Sequence, residues 1–353
     1  MHRPGYAVWL PALLVAFFLA SCTQKETLYR QESFVFGTRV EISIAGEDES
    51  KAENAARMVL QRFDELHGKL HAWQPSNLDR LNAVFASGSS KTSIDNELAR
   101  MLEDAKAFSL QSDGLFNPAI GNLIRIWGFH SDSAPGSVPE KMAIDRQVAA
   151  APSMQHLHIE NNQAWSDNPA MRIDLGGYAK GYALDEAVSI LKQQAIRNAL
   201  VNIGGNVIAL GKAGDRPWKV GIQHPRKAGI IATLDLHDGE AIGTSGDYQR
   251  YFEAGGKRYC HLLDPRTGWP ASGMQSVTIL VSGDRAGVKS DVLTKPLFIG
   301  GTNTLELMRR FNLSHILAVD SNGTVRVSAD MLKRLQWREP GQSHHVFGPQ
   351  AVR

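Results

Sequence analysis

The apolar residues of this chain follow two periods that alternate irregularly along its length. Helical spacing runs through residues 52–70 and again through residues 95–111. Strand-like segments occupy residues 34–44, 199–211, 219–223 and 230–236, and several of them are separated only by short turns. A doubly wound fold would alternate strands and helices regularly. The irregular order therefore predicts an α+β fold with a largely antiparallel sheet and flanking helices.

The first residues predict export rather than a spanning helix. Arg3 precedes an apolar run over residues 8–19, which is short and ends in small residues directly before Cys22. We expect acylation of Cys22, which would anchor the protein to a membrane of the bacterial cell envelope with its body facing the periplasm. The alternative is an ordinary signal peptide with an incidental cysteine. The predicted organisation is a lipoprotein signal peptide over 1–21, a polar tether over 22–33, one folded domain over 34–335 and a C-terminal tail over 336–353.

Composition excludes two classes of explanation. Lys and Arg total 38 against 36 Asp and Glu, a formal net charge of +2, and no basic stripe is present, so we expect no nucleic-acid partner. The chain has two cysteines, Cys22 and Cys260. With Cys22 acylated, Cys260 has no partner within the chain, and the exported domain must be stabilised by its core.

The segment DLGGYAKGYALD, residues 174–185, follows a short apolar run and precedes a helical pattern. We interpret it as a strand, a glycine turn and a helix. Free N–H groups at the start of a helix favour an anion, and Asp174 and Lys180 bring opposite charges to that corner. The alternative is a capped helix with a surface lysine.

Two later segments carry further candidates. In RYCHLLDPRTGWP, His261 lies near Asp264 and Arg266 on a predicted loop, where a histidine can act as a general base; a purely structural histidine is the alternative. In SDVLTKPLFIGG, Asp291 and Thr294 offer hard oxygen atoms that suit magnesium, although a helix cap would use the same residues.

Together these segments resemble the FAD:protein FMN transferases of the ApbE family. The matching motifs are DLGGYAKGYALD, NIGGNV, GTSGDYQRYF, HLLDPRTG and SDVLTKPLF, and the segments FGTRVEISI and GLFNPAIGNLIRIWGF match more loosely. The resemblance covers residues 34–327. It implies FAD as substrate and Mg²⁺ as cofactor, with cleavage of the FAD pyrophosphate. FMN would pass to a Thr or Ser hydroxyl of an exported acceptor protein of a membrane redox system, and AMP would be released.

The resemblance also implies residue roles. His261 would be the catalytic base. Contacts with FAD would come from Phe36, Trp73, Leu115, Phe116, Asn117, Asp174, Lys180 and Leu263. Metal ligands would come from the Gly177 carbonyl and Asp291, together with Thr294 or the following position, Lys295.

This chain departs from the family pattern at several of these positions. Lys295 stands where the family often has Thr or Ser, so Thr294 is the hydroxyl that could substitute. Phe36 replaces a frequent Met, Asn117 a frequent Asp, and Trp73 a frequent Tyr. Two other functions compete with transfer: an FAD pyrophosphatase that releases free FMN, and a non-catalytic FAD-binding electron-transfer lipoprotein.

Overall fold

The computed structural model describes residues 27–88, 91–131, 137–301 and 304–347. Within these ranges no helix combines the length and apolar character needed to cross a membrane. The predicted signal peptide and the predicted lipidation of Cys22 lie outside the described residues.

The described residues form seventeen strands and ten α-helices. The strands are β1 (Leu28–Val35), β2 (Thr38–Ala45), β3 (Thr92–Ser93), β4 (Leu157–Glu160), β5 (Gln163–Ser166), β6 (Ala199–Ile203), β7 (Asn206–Leu210), β8 (Trp218–Gln223), β9 (Ile230–Leu236), β10 (Glu240–Gly246), β11 (Tyr251–Ala254), β12 (Lys257–Cys260), β13 (Met274–Ser282), β14 (His315–Asp320), β15 (Val325–Ser328), β16 (Leu335–Trp337) and β17 (His345–Phe347). The helices are α1 (Glu49–Leu70), α2 (Asn77–Ala86), α3 (Asn96–Gln111), α4 (Gly121–Ile126), α5 (Lys141–Ala149), α6 (Ala179–Gln193), α7 (Ala286–Val292), α8 (Thr294–Gly300), α9 (Thr304–Arg310) and α10 (Ala329–Arg334).

A nine-stranded sheet organises this part of the chain, in the order β1-β2-β6-β7-β10-β13-β14-β15-β17. Each neighbouring pair is antiparallel except β15 and β17, which are parallel. Helices α1, α6 and α7 cover one face through the larger apolar core, while the small sheet β16-β9-β8 covers part of the other face through a second core. The predicted α+β fold with a largely antiparallel sheet is confirmed.

Helix α1 shows how the sequence pattern produces an element. The Asp48 side chain accepts a hydrogen bond from the Lys51 N–H at 2.9 Å, which caps the first turn. Apolar residues at helical spacing, including Val59, Phe63 and Leu66, are fully buried against the sheet. The helix predicted over residues 52–70 is therefore confirmed, with its start three residues earlier.

Two predicted boundaries are wrong. Part of the predicted tether, residues 22–33, belongs to β1, which pairs with β2 through a two-residue turn at Phe36 and Gly37. Both turn residues have positive φ angles, 55° and 68°, as a tight hairpin turn requires. Part of the predicted tail, residues 336–353, also enters sheets as β16 and β17.

Candidate active site

A cavity of about 670 Å³ lies where the hairpin turns at Phe36–Gly37 and Gly204–Gly205 meet loops from other parts of the chain. A volume of this size is typical of sites for cofactors and similar small molecules. The predicted site residues in its wall are Phe36, Leu115, Phe116, Asn117, Asp174, Gly177, Lys180, His261, Leu263, Asp291 and Lys295. Residues scattered over more than 250 positions of the sequence therefore share one cavity.

Trp73 and Thr294 are the two predicted site residues that are not part of this wall. The indole Nε1–H of Trp73 donates to Asp174 Oδ2 at 2.9 Å, and the guanidinium of Arg172 lies 4.5 Å from the indole ring centre. Asp174 Oδ1 accepts from the Gly176 N–H at 2.7 Å. Trp73 was predicted to contact FAD, but it lies outside the cavity wall and orients Asp174, which is part of that wall.

The glycines of residues 174–185 serve close approach rather than a strand-to-helix turn. Residues 171–173 form no strand, and neither Gly176 nor Gly177 has a positive φ angle. A Cβ atom on Gly177 would lie 3.3 Å from Lys295 Cε. A Cβ atom on Gly181 would lie 2.6 Å from the Gly287 carbonyl oxygen, inside any normal contact distance. Gly181 therefore lets α6 and α7 pack backbone against backbone.

Asp185, the last residue of that segment, has a structural role that sequence reasoning missed. Its carboxylate accepts from the N–H groups of Gly287 at 2.8 Å and Val288 at 2.9 Å, at the start of α7. Burial raises the pKa of Asp185, whereas these two N–H donors act to lower it. An acidic residue so far along the chain from the helix that it caps leaves no local sequence signal.

Asp291, Lys180 and Lys295 form a cluster of charged side chains where α6 and α7 meet, which we call the charged corner. The Asp291 side chain is 1% exposed, Oδ2 accepts from the Gly181 N–H at 2.9 Å, and Oδ1 is in contact with Lys295 Nζ. Lys295 Nζ also donates to the Asp291 main-chain oxygen at 2.6 Å, and Lys180 Nζ lies 4.0 Å from Oδ1. Two lysines thus share one carboxylate, which leaves the corner with a net positive charge.

The pKa values at this corner follow from burial and charge. Burial acts to raise the pKa of Asp291, but Lys180 and Lys295 outweigh it, so the pKa is lowered and the carboxylate stays ionised. Burial lowers the pKa of Lys295 to about 8; Asp291 opposes that shift and Lys180 adds to it. At neutral pH, Lys295 is therefore still mainly protonated.

Thr294 is buried beside this corner and its hydroxyl already has partners. Thr294 Oγ1 donates to the Asp291 main-chain oxygen at 2.7 Å and accepts from Ser245 Oγ at 2.8 Å. The side chain is 1% exposed. Thr294 thus stabilises the junction between α7, α8 and β10. Ser245 itself lies in β10.

His261 forms a different part of the cavity wall. Its Nδ1 lies 3.2 Å from the main-chain oxygen of Arg250. Because a carbonyl oxygen can only accept, Nδ1 carries the hydrogen and Nε2 keeps a lone pair. The predicted neighbours Asp264 and Arg266 instead pair with each other, with Arg266 Nη2 2.7 Å from Asp264 Oδ2.

The environment of His261 keeps its ring neutral. Burial, followed by repulsion from Arg250, lowers its pKa well below the usual 6.5, and Lys180 and Lys295 add to this shift. A neutral imidazole with a free lone pair at Nε2 can accept a proton from a hydroxyl group. The geometry therefore permits the predicted role of general base.

Sequence reasoning also missed part of the cavity wall. Arg250 and Tyr248, within the GTSGDYQRYF motif, line the cavity, as do Val220–Gln223 in β8. Arg250 was quoted as part of a motif, but only the folded chain shows that its main-chain oxygen orients His261. The contribution of β8 had no signal, because its alternating pattern is that of any half-buried strand.

The ApbE family model matches residues 36–318. The chain is 37% identical over 309 residues to a Rhodobacter capsulatus protein named FAD:protein FMN transferase, covering 87% of this chain and 58% of that protein. It is 31% identical over 278 residues to a Klebsiella pneumoniae (strain 342) protein of the same name, covering 77% and 82%. In structure it is similar to the ApbE protein of Thermotoga maritima, at a TM-score of 0.80 and 30% identity, covering 89% of this chain and 100% of that one. The chain thus spans less than two thirds of the Rhodobacter protein. The predicted family and the expectation of a transferase are confirmed at the level of the family.

Proposed function

Because the chain belongs to the ApbE family, we propose that it is a flavin transferase, which cleaves FAD and attaches FMN covalently to a hydroxyl group of another protein. The proposal rests on one cavity whose wall holds both a neutral imidazole, at His261, and a positively charged corner around Lys180 and Lys295. This pairing suits phosphoryl transfer, which needs a proton acceptor for the attacking hydroxyl and positive charge for the phosphates.

The two ends of FAD suit different parts of the wall. The pyrophosphate would lie against Lys180 and Lys295, whose ammonium groups donate to phosphate oxygens. Apolar side chains of Leu115, Phe116 and Leu263 offer surface for the flat ring of the flavin. Asp174, whose carboxylate accepts hydrogen bonds from Trp73 and Gly176, would make a polar contact with the nucleotide.

The proposed transfer of FMN balances in atoms and in charge. The acceptor hydroxyl, from a threonine or serine, attacks the phosphorus on the FMN side of the pyrophosphate. A new phosphorus–oxygen bond forms, the bond to the bridging oxygen breaks, and AMP leaves with that oxygen. The hydroxyl proton passes to Nε2 of His261.

The residues present do not match the oxygen-rich set of ligands that magnesium prefers. Among residues 27–88, 91–131, 137–301 and 304–347, no three His, Cys, Asp or Glu side chains are grouped to hold a metal ion. An ammonium group has no lone pair, so protonated Lys295 cannot be a ligand, and the Thr294 hydroxyl is engaged elsewhere. Magnesium was predicted from the hard oxygen atoms of Asp291 and Thr294 and from the family resemblance, and we derive no step through it.

The finer predictions about cellular context belong to this proposal as well. The acceptor would be an exported protein of a membrane redox system, and the enzyme would be held by a lipid on Cys22 at the periplasmic side of a membrane. Membrane fractionation of a Cys22→Ala variant tests the anchor. Release of the variant into the soluble periplasmic fraction would support it, and retention with an attached labelled fatty acid would contradict it.

The reaction itself is tested by incubating the purified protein with FAD and a cell-envelope extract from a strain that lacks it. Covalent flavin fluorescence on an extract protein in a denaturing gel, with AMP in the supernatant, is the expected result. Free FMN with AMP and no labelled protein would indicate the pyrophosphatase. Unchanged FAD that remains bound would indicate the electron carrier.

A further inference from the structure

We infer that Lys295 supplies, from within the chain, the positive charge that the pyrophosphate of FAD requires, so that this protein binds FAD and transfers FMN without a divalent metal ion. This inference rests on the proposed function, because it concerns the same cavity and the same nucleotide.

The position of the Lys295 side chain is the first argument. It extends from the start of α8 between two of the predicted metal ligands, Gly177 and Asp291. Its Cε would lie 3.3 Å from a Cβ atom placed on Gly177, and its Nζ contacts Asp291 Oδ1. The ammonium group donates hydrogen bonds to both the Oδ1 atom and the main-chain oxygen of Asp291. A metal ion at this corner would have to displace it.

The charge balance is the second argument. Lys295 and Lys180 both approach the one carboxylate of Asp291. A divalent ion placed here would meet two ammonium groups and a single negative charge, in a buried region where repulsion is weakly screened. An isolated phosphate anion, in contrast, would meet a net positive charge.

The remaining hydrogen-bonding capacity of the ammonium group is the third argument. A lysine ammonium has three donors, and two of them are used by the Asp291 oxygens. Lys295 lines the cavity. Gly177, which has no side chain, leaves room beside it. The third donor can therefore reach a phosphate oxygen, while Asp291 holds the lysine in place.

The position of Thr294 is the fourth argument. A hydroxyl next to Lys295 could restore a ligand set only if it faced the cavity. Thr294 instead donates to the Asp291 main-chain oxygen, accepts from Ser245 and does not line the cavity. Thr294 therefore does not complete a set of metal ligands in the cavity. The positive charge that a metal ion would bring comes from Lys295 instead.

The decisive measurement is FAD affinity without any acceptor, from quenching of flavin fluorescence on the purified full-length protein. We expect the dissociation constant to change by less than about twofold between excess EDTA and millimolar Mg²⁺. FAD-loaded protein should also contain no stoichiometric metal by mass spectrometry. A loss of affinity of more than about tenfold in EDTA, restored by Mg²⁺, would overturn the inference.

Substitution at the same position gives a matched test. Lys295→Thr places a hydroxyl four residues after Asp291, and we expect it to lose at least about tenfold in FAD affinity in EDTA and to recover with Mg²⁺. Lys295→Met removes the charge without adding a ligand and should lose affinity under both conditions. Lys333→Thr, on the exposed surface of α10, is the charge-matched control and should behave as the wild type. Wild-type affinity for both Lys295 variants in EDTA would contradict the inference.

The outcome does not depend on the variants folding, because the EDTA titration uses the unmodified protein. Failure of the inference is also separable from failure of the proposed function. FMN transfer that EDTA abolishes would overturn the inference and keep the function. Metal-independent FAD binding with no transfer to any acceptor would keep the part of the inference that concerns binding, the role of Lys295 at the pyrophosphate, and would overturn the function.

Discussion

Two walls of one cavity hold their titratable groups in opposite ways. At His261 a single main-chain oxygen, that of Arg250, orients a neutral ring whose lone pair stays free. At Asp291 both carboxylate oxygens are engaged, Oδ1 by Lys295 with Lys180 nearby, and Oδ2 by the Gly181 N–H. The first arrangement leaves a group able to exchange a proton; the second fixes a charge in place. The comparison suggests that His261 contributes to the chemical step and the charged corner to binding and stability.

The largest expected effect comes from the His261 wall. His261→Ala should lower single-turnover FMN transfer by about a hundred- to ten-thousand-fold, the usual contribution of a positioned general base. FAD affinity and melting temperature should change little, because the ring makes one hydrogen bond to the protein. The measurement is transfer rate, flavin fluorescence quenching and thermal melting on one preparation.

The matched control for that change is His158→Ala on β4, where the histidine ring stacks on Trp165 away from the cavity. Transfer by this variant should stay within about twofold of the wild type. Parallel losses of rate, affinity and melting temperature in His261→Ala would instead make His261 a structural residue.

The next largest effect concerns the stability of the charged corner. Asp291→Asn leaves two buried or partly buried ammonium groups without their counter-charge, and we expect a loss of about 3–5 kcal/mol in the free energy of unfolding. Urea unfolding measures it. Asp145→Asn, which breaks an exposed pair with Lys141, is the control and should cost less than about 1 kcal/mol. Equal losses in the two variants would show that burial does not set the strength of the Asp291 pair.

A smaller effect is expected behind the wall at Trp73. Trp73→Phe removes the donor to Asp174 while keeping an aromatic ring, so Asp174 keeps only the Gly176 N–H. We expect FAD affinity to fall about tenfold, equivalent to about 1.4 kcal/mol. Trp165→Phe, on a small sheet outside the cavity, should leave FAD affinity unchanged. An unchanged affinity for Trp73→Phe would separate Asp174 from nucleotide binding.

The smallest effect is a nearly flat response to pH. Because the pKa of His261 is lowered below 6.5, the ring stays neutral as the pH falls, and Lys295 keeps its proton below its pKa of about 8. The single-turnover rate should change by less than about twofold between pH 7.5 and pH 6. An unshifted histidine with a pKa near 6.5 would lose about fourfold over that range. A fourfold loss would therefore mean that the environment of His261 does not lower its pKa during catalysis.

Local patterns in the sequence predicted the fold class and much of the secondary structure. The helical spacing of apolar residues in α1 is a clear sequence signal because one face of the helix is fully buried. The strand β1 was missed because it lies at the edge of the sheet, and its sequence, LYRQESFV, leaves most side chains exposed or half-buried. Such a strand is specified by its pairing with β2, which hydropathy does not report.

The sequence predicted which residues belong to the site better than it predicted the contacts among them. Eleven of the predicted residues share the cavity because the family motifs quote the segments that surround it. The motifs did not show which residues are hydrogen-bonded to which. These hydrogen bonds join Trp73 to Asp174, the Arg250 main-chain oxygen to His261, and Ser245 to Thr294. Two of these contacts join residues 101 and 49 positions apart in the chain, and the third joins residues on either side of the β11–β12 hairpin. Their geometry depends on packing and strand pairing that no single motif encodes.

The backbone contact between α6 and α7 has a consequence for folding. Gly181 and Asp291 are hydrogen-bonded across 110 positions of the chain, so the charged corner forms only when two distant segments have met. Contacts of such long range carry a large loop-closure cost and tend to form late. A chain that stops before α7 cannot complete the corner, and a ligand stabilises only the state that binds it. FAD-induced protection from proteolysis would therefore report the assembly of this corner, and no fragment ending before residue 286 should show it.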